Sequence, residues 1–448
     1  MDERDRIIEK QSAIIAEQSA TIAEQSVTIA KLQIRIQELE RRLNLDSTNS
    51  SKPPSSDGLR KKPSPQSLRQ KSEKPSGGQE GHKGCTLEQV AEPTKVISHR
   101  VETCQNCGKS LVNQDLERVI KRQIFDIPEP KIEVTEHQAE VKQCTCGYCN
   151  TALFPSDVRA PVQYGPRVKA FAIYLSTQQL IPEDRLKETF ADLFSLPIST
   201  ATLTSINEKF STIVEPYQEQ VLEELKKAPV KHLDETGLRI AGKTHWLHVI
   251  SDANQTHYRP SLKRKNLLNN VVGTVVHDHW KPYFQLPEVT HALCNAHHLR
   301  ELKAVEEQEK EPWAGMMAQF LRLAVRFKNP PVERLSKLYD NILARGFKFH
   351  ESQPPLDGRK NKRRVGHNLL RRLRKFKPAV LRFLTDSTIP FSNNQAEQDL
   401  RMMKVKQKIS QGFRTMHGAE IFCTIRGFIS TARKQKFNIL EAIQSAYG

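Results

Sequence analysis

From residue 229 onward the chain changes character, and that change limits the folds open to it. The segment PVKHLDETGLRIAGKTHWLHVISDANQTHYRPS holds three strand-like runs, with turn signals at Ala241-Gly242 and Asp252-Ala253-Asn254. A short, wholly apolar run follows, VVGTVV, ending at His277-Asp278. VTHALCNAHHLRELKAV then passes from strand into helix. Hairpin strands, then a buried strand, then a strand feeding a helix predict a mixed α/β sheet.

What precedes that sheet reads as separate parts, as 448 residues would suggest: two to four domains are expected for this length. Ile8, Ile15, Ile22, Ile29, Ile36 and Leu43 recur every seven residues, with Leu32 and Leu39 joining them late. A seven-residue period keeps one apolar seam against a partner helix, so residues 1–45 are expected to form a coiled-coil self-association helix. Residues 46–84 are rich in Ser, Pro, Gly and Lys and carry no apolar repeat, which predicts a disordered basic linker.

Residues 85–157 hold two cysteine groups, Cys104-Gln-Asn-Cys107 and Cys144-Thr-Cys146-Gly-Tyr-Cys149. Between them VIKRQIFDIP and KIEVTEHQAEVKQC alternate like two strands of a hairpin. Two C-x-x-C knuckles suit tetrahedral Zn²⁺, each pair of thiolates filling two corners, and four thiolates close the shell. Cys104, Cys107, Cys146 and Cys149 are the expected ligands of a structural zinc, with Cys144 a spare that can replace Cys146. Residues 158–228 are helical in pattern. DRLKETFADLF, the turn SLPIST and a second helix capped by Ser199 or Thr200 read as a helix-turn-helix-like DNA-binding region.

Charge points to a partner. Lys and Arg number 69 against 51 acidic residues, a net +18, which favours a polyanion, and nucleic acid is the usual one. The excess is concentrated in RKNKRRVGHNLLRRLRKFK, residues 359–377, with ten Lys or Arg and no acid. Arg363, Arg364, Arg371 and Arg372 are therefore candidate DNA-phosphate contacts. No stretch approaches the ~20 apolar residues of a membrane helix, and the charged MDERDRIIEK is unlike a signal peptide. A cytoplasmic, nucleoid-associated protein with reduced or metal-bound cysteines is the expectation.

Cutting or joining a phosphodiester calls for two hard cations about 4 Å apart, held by a few carboxylates on rigid elements. Asp234 follows the strand VKHL and Asp278 ends VVGTVVH, so with those strands adjacent both carboxylates project beyond one sheet edge. Glu397 lies on a helix with Arg401, Lys404 and Lys408 at i+4, i+7 and i+11, a face that offers a metal ligand beside phosphate-binding cations. Spacing alone does not separate these acids from surface charge.

A resemblance does. NSSKPPSSDG, GGQEGHKG, YLSTQQLIPEDRLKETFADLFSLPISTATL, DETGLRI, KTHWLHV, VVHDHWKPY, CNAHHLREL and NNQAEQDLRMMKVKQKISQGFRT together resemble the transposases of the insertion-sequence sixty-six family along nearly the whole chain. The resemblance implies a DDE triad at Asp234, Asp278 and Glu397 in a ribonuclease-H-like catalytic core over residues 229–415. It also implies a helical insertion at about 300–384, followed by C-terminal helices over 416–448. It implies Mg²⁺ (or Mn²⁺), two ions per active site, with Lys404 steadying the phosphate. The substrates would be transposon-end DNA and target DNA, first hydrolysed to expose 3′-hydroxyls and then joined by transesterification, with accessory transposition proteins as further partners. Asn393 stands where related DDE enzymes carry an Arg, so that DNA contact has to come from elsewhere. The competing reading is a non-catalytic, zinc-containing DNA-binding regulator derived from a transposase.

Overall fold

A computed structural model describes residues 3–43, 86–353 and 363–447. The expected linker and the start of the basic run fall outside the described residues. The chain separates into two compact units, residues 67–136 and the remainder.

In the smaller unit the backbone is held by turns and side chains. Thr103 and Ser110 form a bridge around the first cysteine turn, and the Gln123 amide both accepts from Val90 N and donates to Val90 O. The long strands expected over residues 119–140 are not formed; just beyond them, in the other unit, stands a short hairpin of β1 (Val141–Gln143) with β2 (Cys149–Thr151). The reason is visible in exposure: Ile120, Ile124, Ile127 and Val134 are each at least 73% exposed, so their alternation has no second layer to bury against.

In the larger unit α1 (Glu3–Leu43) is one continuous helix whose heptad isoleucines all lie exposed. A helical layer follows: α2 (Pro166–Ile173), closed by a π turn, then α3 (Glu183–Phe194) and α4 (Thr200–Lys227). Ser199 caps α4, its Oγ accepting from Thr202 N at 3.0 Å.

The sheet runs β5-β4-β3-β6-β7, formed by β3 (Val230–Ile240), β4 (Lys243–Ser251), β5 (Thr256–Ser261), β6 (Gly273–His277) and β7 (Val289–Leu293). The first three are antiparallel, while β6 and β7 run parallel to β3. Ala241 and Gly242 both take positive φ, the backbone a two-residue hairpin turn demands. Asp252 Oδ1 accepts from Asn254 N and Gln255 N to close the next turn. Gly273 starts β6 at φ +80°, where a Cβ would sit 3.0 Å from the carbonyls of Ala228 and Pro229.

After β7 come α5 (Asn295–Gln308), α6 (Pro312–Ala324), α7 (Val332–Glu351), α8 (Val365–Lys375), α9 (Lys377–Val380) and α10 (Arg382–Thr385), packed around Trp313, Tyr339 and Leu370 in a core of their own. The chain then returns in α11 (Asn394–Ser410), α12 (Met416–Lys434) and α13 (Ile439–Ala446).

The period of two along each strand decides which face each residue serves. Leu238, Ile240, Leu247 and Val249 pack under α11 and α12 with Leu400, Met403 and Phe422. Leu233, Ile250 and Val275 pack on the opposite face with Val221 and Leu225 of α4 and with Tyr283. Asp234 shares the parity of Leu238 and Ile240, so it lies on the face that α11 covers.

Candidate active site

The register of the parallel pair brings the first two acids together. His232 lies opposite Val276; two residues further on, the same register leads to Asp234 and Asp278. The sequence reading ended the first strand before Asp234. In fact β3 continues through Asp234 to Ile240, and it is β6 that ends, at His277. Asp234 is therefore fixed in mid-strand, where the sheet narrows from β6 to nothing on that side.

Each aspartate is anchored by one backbone amide: Glu235 N donates to Asp234 Oδ1 and Trp280 N to Asp278 Oδ1, both at 2.8 Å. Glu397 stands in the first turn of α11. Burial raises the Asp234 carboxyl well above the usual carboxylate range, and Glu235, Asp278 and Glu397 raise it further. Burial likewise raises Glu397, with Asp278 adding to it against Arg300 and Arg401. Asp278 is raised by burial, and Arg264 opposes the rise. Asp234 thus lies within electrostatic reach of Asp278 and Glu397, and Glu397 within reach of Asp278.

Asn393 sets the position of α11 relative to β3. Its side chain does not cap the helix. It donates from Nδ2 to Leu233 O at 2.8 Å and meets His232 Nδ1 through Oδ1 at 2.8 Å, while its backbone N donates to Cys294 Sγ at 3.1 Å. Glu397 N then donates to Asn393 O at 3.2 Å, so the acid of α11 is referenced to the strand that carries Asp234.

Several neighbours escaped the sequence reading because they come from distant segments. Arg300 of α5 places Nη2 3.5 Å from Glu397 Oε1, so a guanidinium does stand beside this acid although Asn393 is not an Arg. Glu235, next to Asp234, accepts from Arg264 Nε at 2.9 Å, from Arg264 Nη2 at 2.6 Å and from the Tyr283 hydroxyl. The Arg264 guanidinium lies over both Trp246 and Trp280, 4.8 and 4.5 Å from the ring centres. The motif DET gave no hint that its Glu is spent on this clamp.

The expected cations divide. Lys404 is half-buried and donates to Gly237 O at 3.2 Å, and Asp234 counters the lowering of its pKa by burial. It lies within electrostatic reach of Asp234. Arg401 and Lys408 are exposed on α11. Arg363 and Arg371 line an open groove of about 720 Å³ on the insertion with Lys348, His367 and Arg374. Arg372, one residue round α8, turns instead to an ion pair with Glu301 of α5, so the four arginines are not one patch. Arg364 immediately precedes α8.

The cysteine turns are described each within its own unit. Cys104 N donates to Lys109 O and Gly108 N to Cys104 O, and the N–H groups of Cys107 and Asn106, aimed at the Cys104 sulfur, hold its thiol below the ordinary range. In the hairpin β1–β2, Cys144 N donates to Tyr148 O and Gly147 N to Cys144 O; here the Cys146 N–H and thiol lower Cys144. That turn sets Cys144 beside Cys146, while Cys149 lies in β2 opposite Gln143.

A mixed sheet with a helical excursion after its last strand and buried acids beside it defines an α/β protein. Sequence comparison supplies the family. Residues 161–421 match the family described as Transposase IS66 family, and residues 8–88 match a family of unknown function, DUF6444. No curated protein matches the chain. The chain belongs to the IS66 transposase family. The matched span runs from just before α2 into α12 and includes Asp234, Asp278 and Glu397. Among the described residues no helix is long and apolar enough to cross a membrane.

Proposed function

We propose that this transposase binds the ends of a bacterial insertion sequence and performs metal-dependent DNA strand cleavage followed by strand transfer. The observation that carries the proposal is the electrostatic coupling of Asp278, just past a strand end, and Glu397, at a helix start, to Asp234 in mid-strand. The sheet order, three antiparallel strands followed by two parallel ones, supports a ribonuclease-H-like core with residues 295–385 as its helical insertion.

Two Mg²⁺ or Mn²⁺ ions held by the three carboxylates would activate the attacking oxygen and stabilise the leaving one. In cleavage, water adds to a phosphorus at the element end, and the 3′-oxygen leaves and takes up a proton as a 3′-hydroxyl. In joining, that hydroxyl adds to a target phosphodiester and displaces a target 3′-oxygen, so phosphodiester bonds are exchanged without a covalent protein intermediate. Asp234 and Asp278 would hold the cations from the sheet edge, and Glu397 would complete the set from α11. Arg300 opposes the burial that disfavours the Glu397 anion, and Lys404 steadies the phosphate. Arg401, Lys408, Arg363, Arg364 and Arg371 track the DNA backbone, and Arg372 joins them only by exchanging Glu301 for phosphate.

The α2–α4 layer is proposed as the helix-turn-helix-like DNA-binding region and α1 as a coiled-coil oligomerisation helix. Accessory transposition proteins are proposed as further partners. A structural Zn²⁺ on Cys104, Cys107, Cys146 and Cys149, with Cys144 as the alternative thiol, is proposed from the sequence; the amide-cradled sulfurs of each turn are the kind such an ion takes.

Precut element ends incubated with a plasmid target in Mg²⁺ test the proposal. Joined products are expected from the wild type and none above background from Asp278→Asn. Joining by that variant would refute the mechanism. A wild type that binds ends without cutting or joining would favour the regulator.

A further inference from the structure

We propose that Cys294, His297 and Glu397 form a second metal site, for a borderline-soft divalent ion of the Zn²⁺ type, that draws Glu397 away from the carboxylate cluster. The site itself stands on its own geometry; only its competition with Mg²⁺ rests on the function proposed above.

Cys294 and His297 are three apart at the start of α5, so their side chains share one face of the helix, and Glu397 approaches that face from α11. One sulfur, one imidazole nitrogen and one carboxylate oxygen of the three lie within 4.8 Å of one another. In a tetrahedral zinc shell the donors sit about 3.5 Å apart, so small side-chain rotations suffice to close the set.

The partners of each donor leave it turned towards that centre. His297 Nδ1 is buried and has no hydrogen-bond partner, and Glu397 Oε1 stands 3.8 Å from it. A buried ring nitrogen without a partner is destabilising, and a bound cation would relieve it. Cys294 Sγ already accepts from Asn393 N, the outer hydrogen bond that commonly backs a metal-bound sulfur. The donor set selects the ion: Mg²⁺ requires oxygen ligands and has little use for a thiol or an imidazole, whereas Zn²⁺ takes both. Three protein ligands leave a fourth position open, so the ion exchanges with solution rather than being sealed in. Glu397 cannot serve both ions fully, which makes this site inhibitory towards Mg²⁺-dependent cutting.

Zinc bound per chain is counted by titrating the full-length protein against a chromogenic chelator. The wild type should bind one equivalent more than Cys294→Ser and His297→Gln. Cys423→Ser, which removes a buried thiol of α12 outside the cluster, should match the wild type. Affinity for the lost equivalent should fall by more than about 100-fold, beyond the 10- to 100-fold that loss of an outer partner costs. Equal zinc counts in the wild type and His297→Gln overturn the site. So does a zinc-induced rise in melting temperature that is the same in both, a comparison that holds even if Cys294→Ser fails to fold. Asp278→Asn separates the two proposals: it should keep the extra zinc equivalent while losing strand cleavage. If it loses the equivalent, the metal sits in the carboxylate cluster and this site is refuted.

Discussion

Asn393 shows how far a single residue reaches. The pair Asn393-Asn394 before a helix looks like a cap, and the sequence offers nothing to suggest more. In the fold its amide spans from α11 to His232 and Leu233 of β3, residues 161 and 160 positions away. Asn393→Ala leaves a buried imidazole nitrogen and a buried carbonyl without partners. It should cost about 2 to 4 kcal/mol in denaturant unfolding, and strand cleavage should fall with it as Glu397 loses its reference to Asp234. Unchanged stability would show that water replaces the amide and that the helix is positioned by its apolar face alone. That Asp234, Asp278 and Glu397 come within electrostatic reach of one another was expected from resemblance more than from spacing. Arg300 and the Arg264–Glu235–Tyr283 clamp were not, because their contacts join segments that no local pattern relates.

Among the elements, the segment after β6 is joined to α5 by imidazoles. His279 and His298 meet through their Nε2 atoms at 2.8 Å, and His298 Nδ1 reaches Asn295 Oδ1 at 2.8 Å. Burial drives the His298 pKa well below 6.5 and that of His279 down to about 3, so both stay neutral in the fold. A base whose folded pKa is depressed contributes stability that is present above its unfolded value, near 6.5. That stability is lost as pH falls below it, by about 1.4 kcal/mol per unit, because the unfolded chain takes up the proton first. The stability margin of wild type over His298→Gln should therefore narrow by about 1 kcal/mol between pH 6.5 and 5.5, as read from urea unfolding at each pH. A constant margin would mean that His298 is protonated in the fold. The sheet elements were readable because hairpin turns and a wholly apolar strand leave strong local signals. Residues 119–140 misled for a physical reason: alternation predicts a strand only where a second layer exists to receive one face, and Ile124 is 93% exposed.

At the scale of the whole molecule, α1 presents an apolar seam that its own chain leaves uncovered, from Ile8 at 60% exposed to Leu43 at 65%. Such a stripe is stable in water only against a partner helix. Removing residues 3–43 should lower the mass measured by light scattering to that of a monomer while leaving the thermal unfolding of the remainder unchanged. A truncated chain that keeps its oligomeric state would place the interface elsewhere. The central claim concerns the metal pair, and electron paramagnetic resonance of Mn²⁺ added to protein freed of exchangeable zinc and bound to element-end DNA tests it most directly. Two ions about 4 Å apart are exchange-coupled. A coupled dimanganese signal from the wild type, lost in Asp234→Asn, Asp278→Asn and Glu397→Gln alike, is the expected result. An isolated Mn²⁺ signal that survives Asp278→Asn would contradict the site.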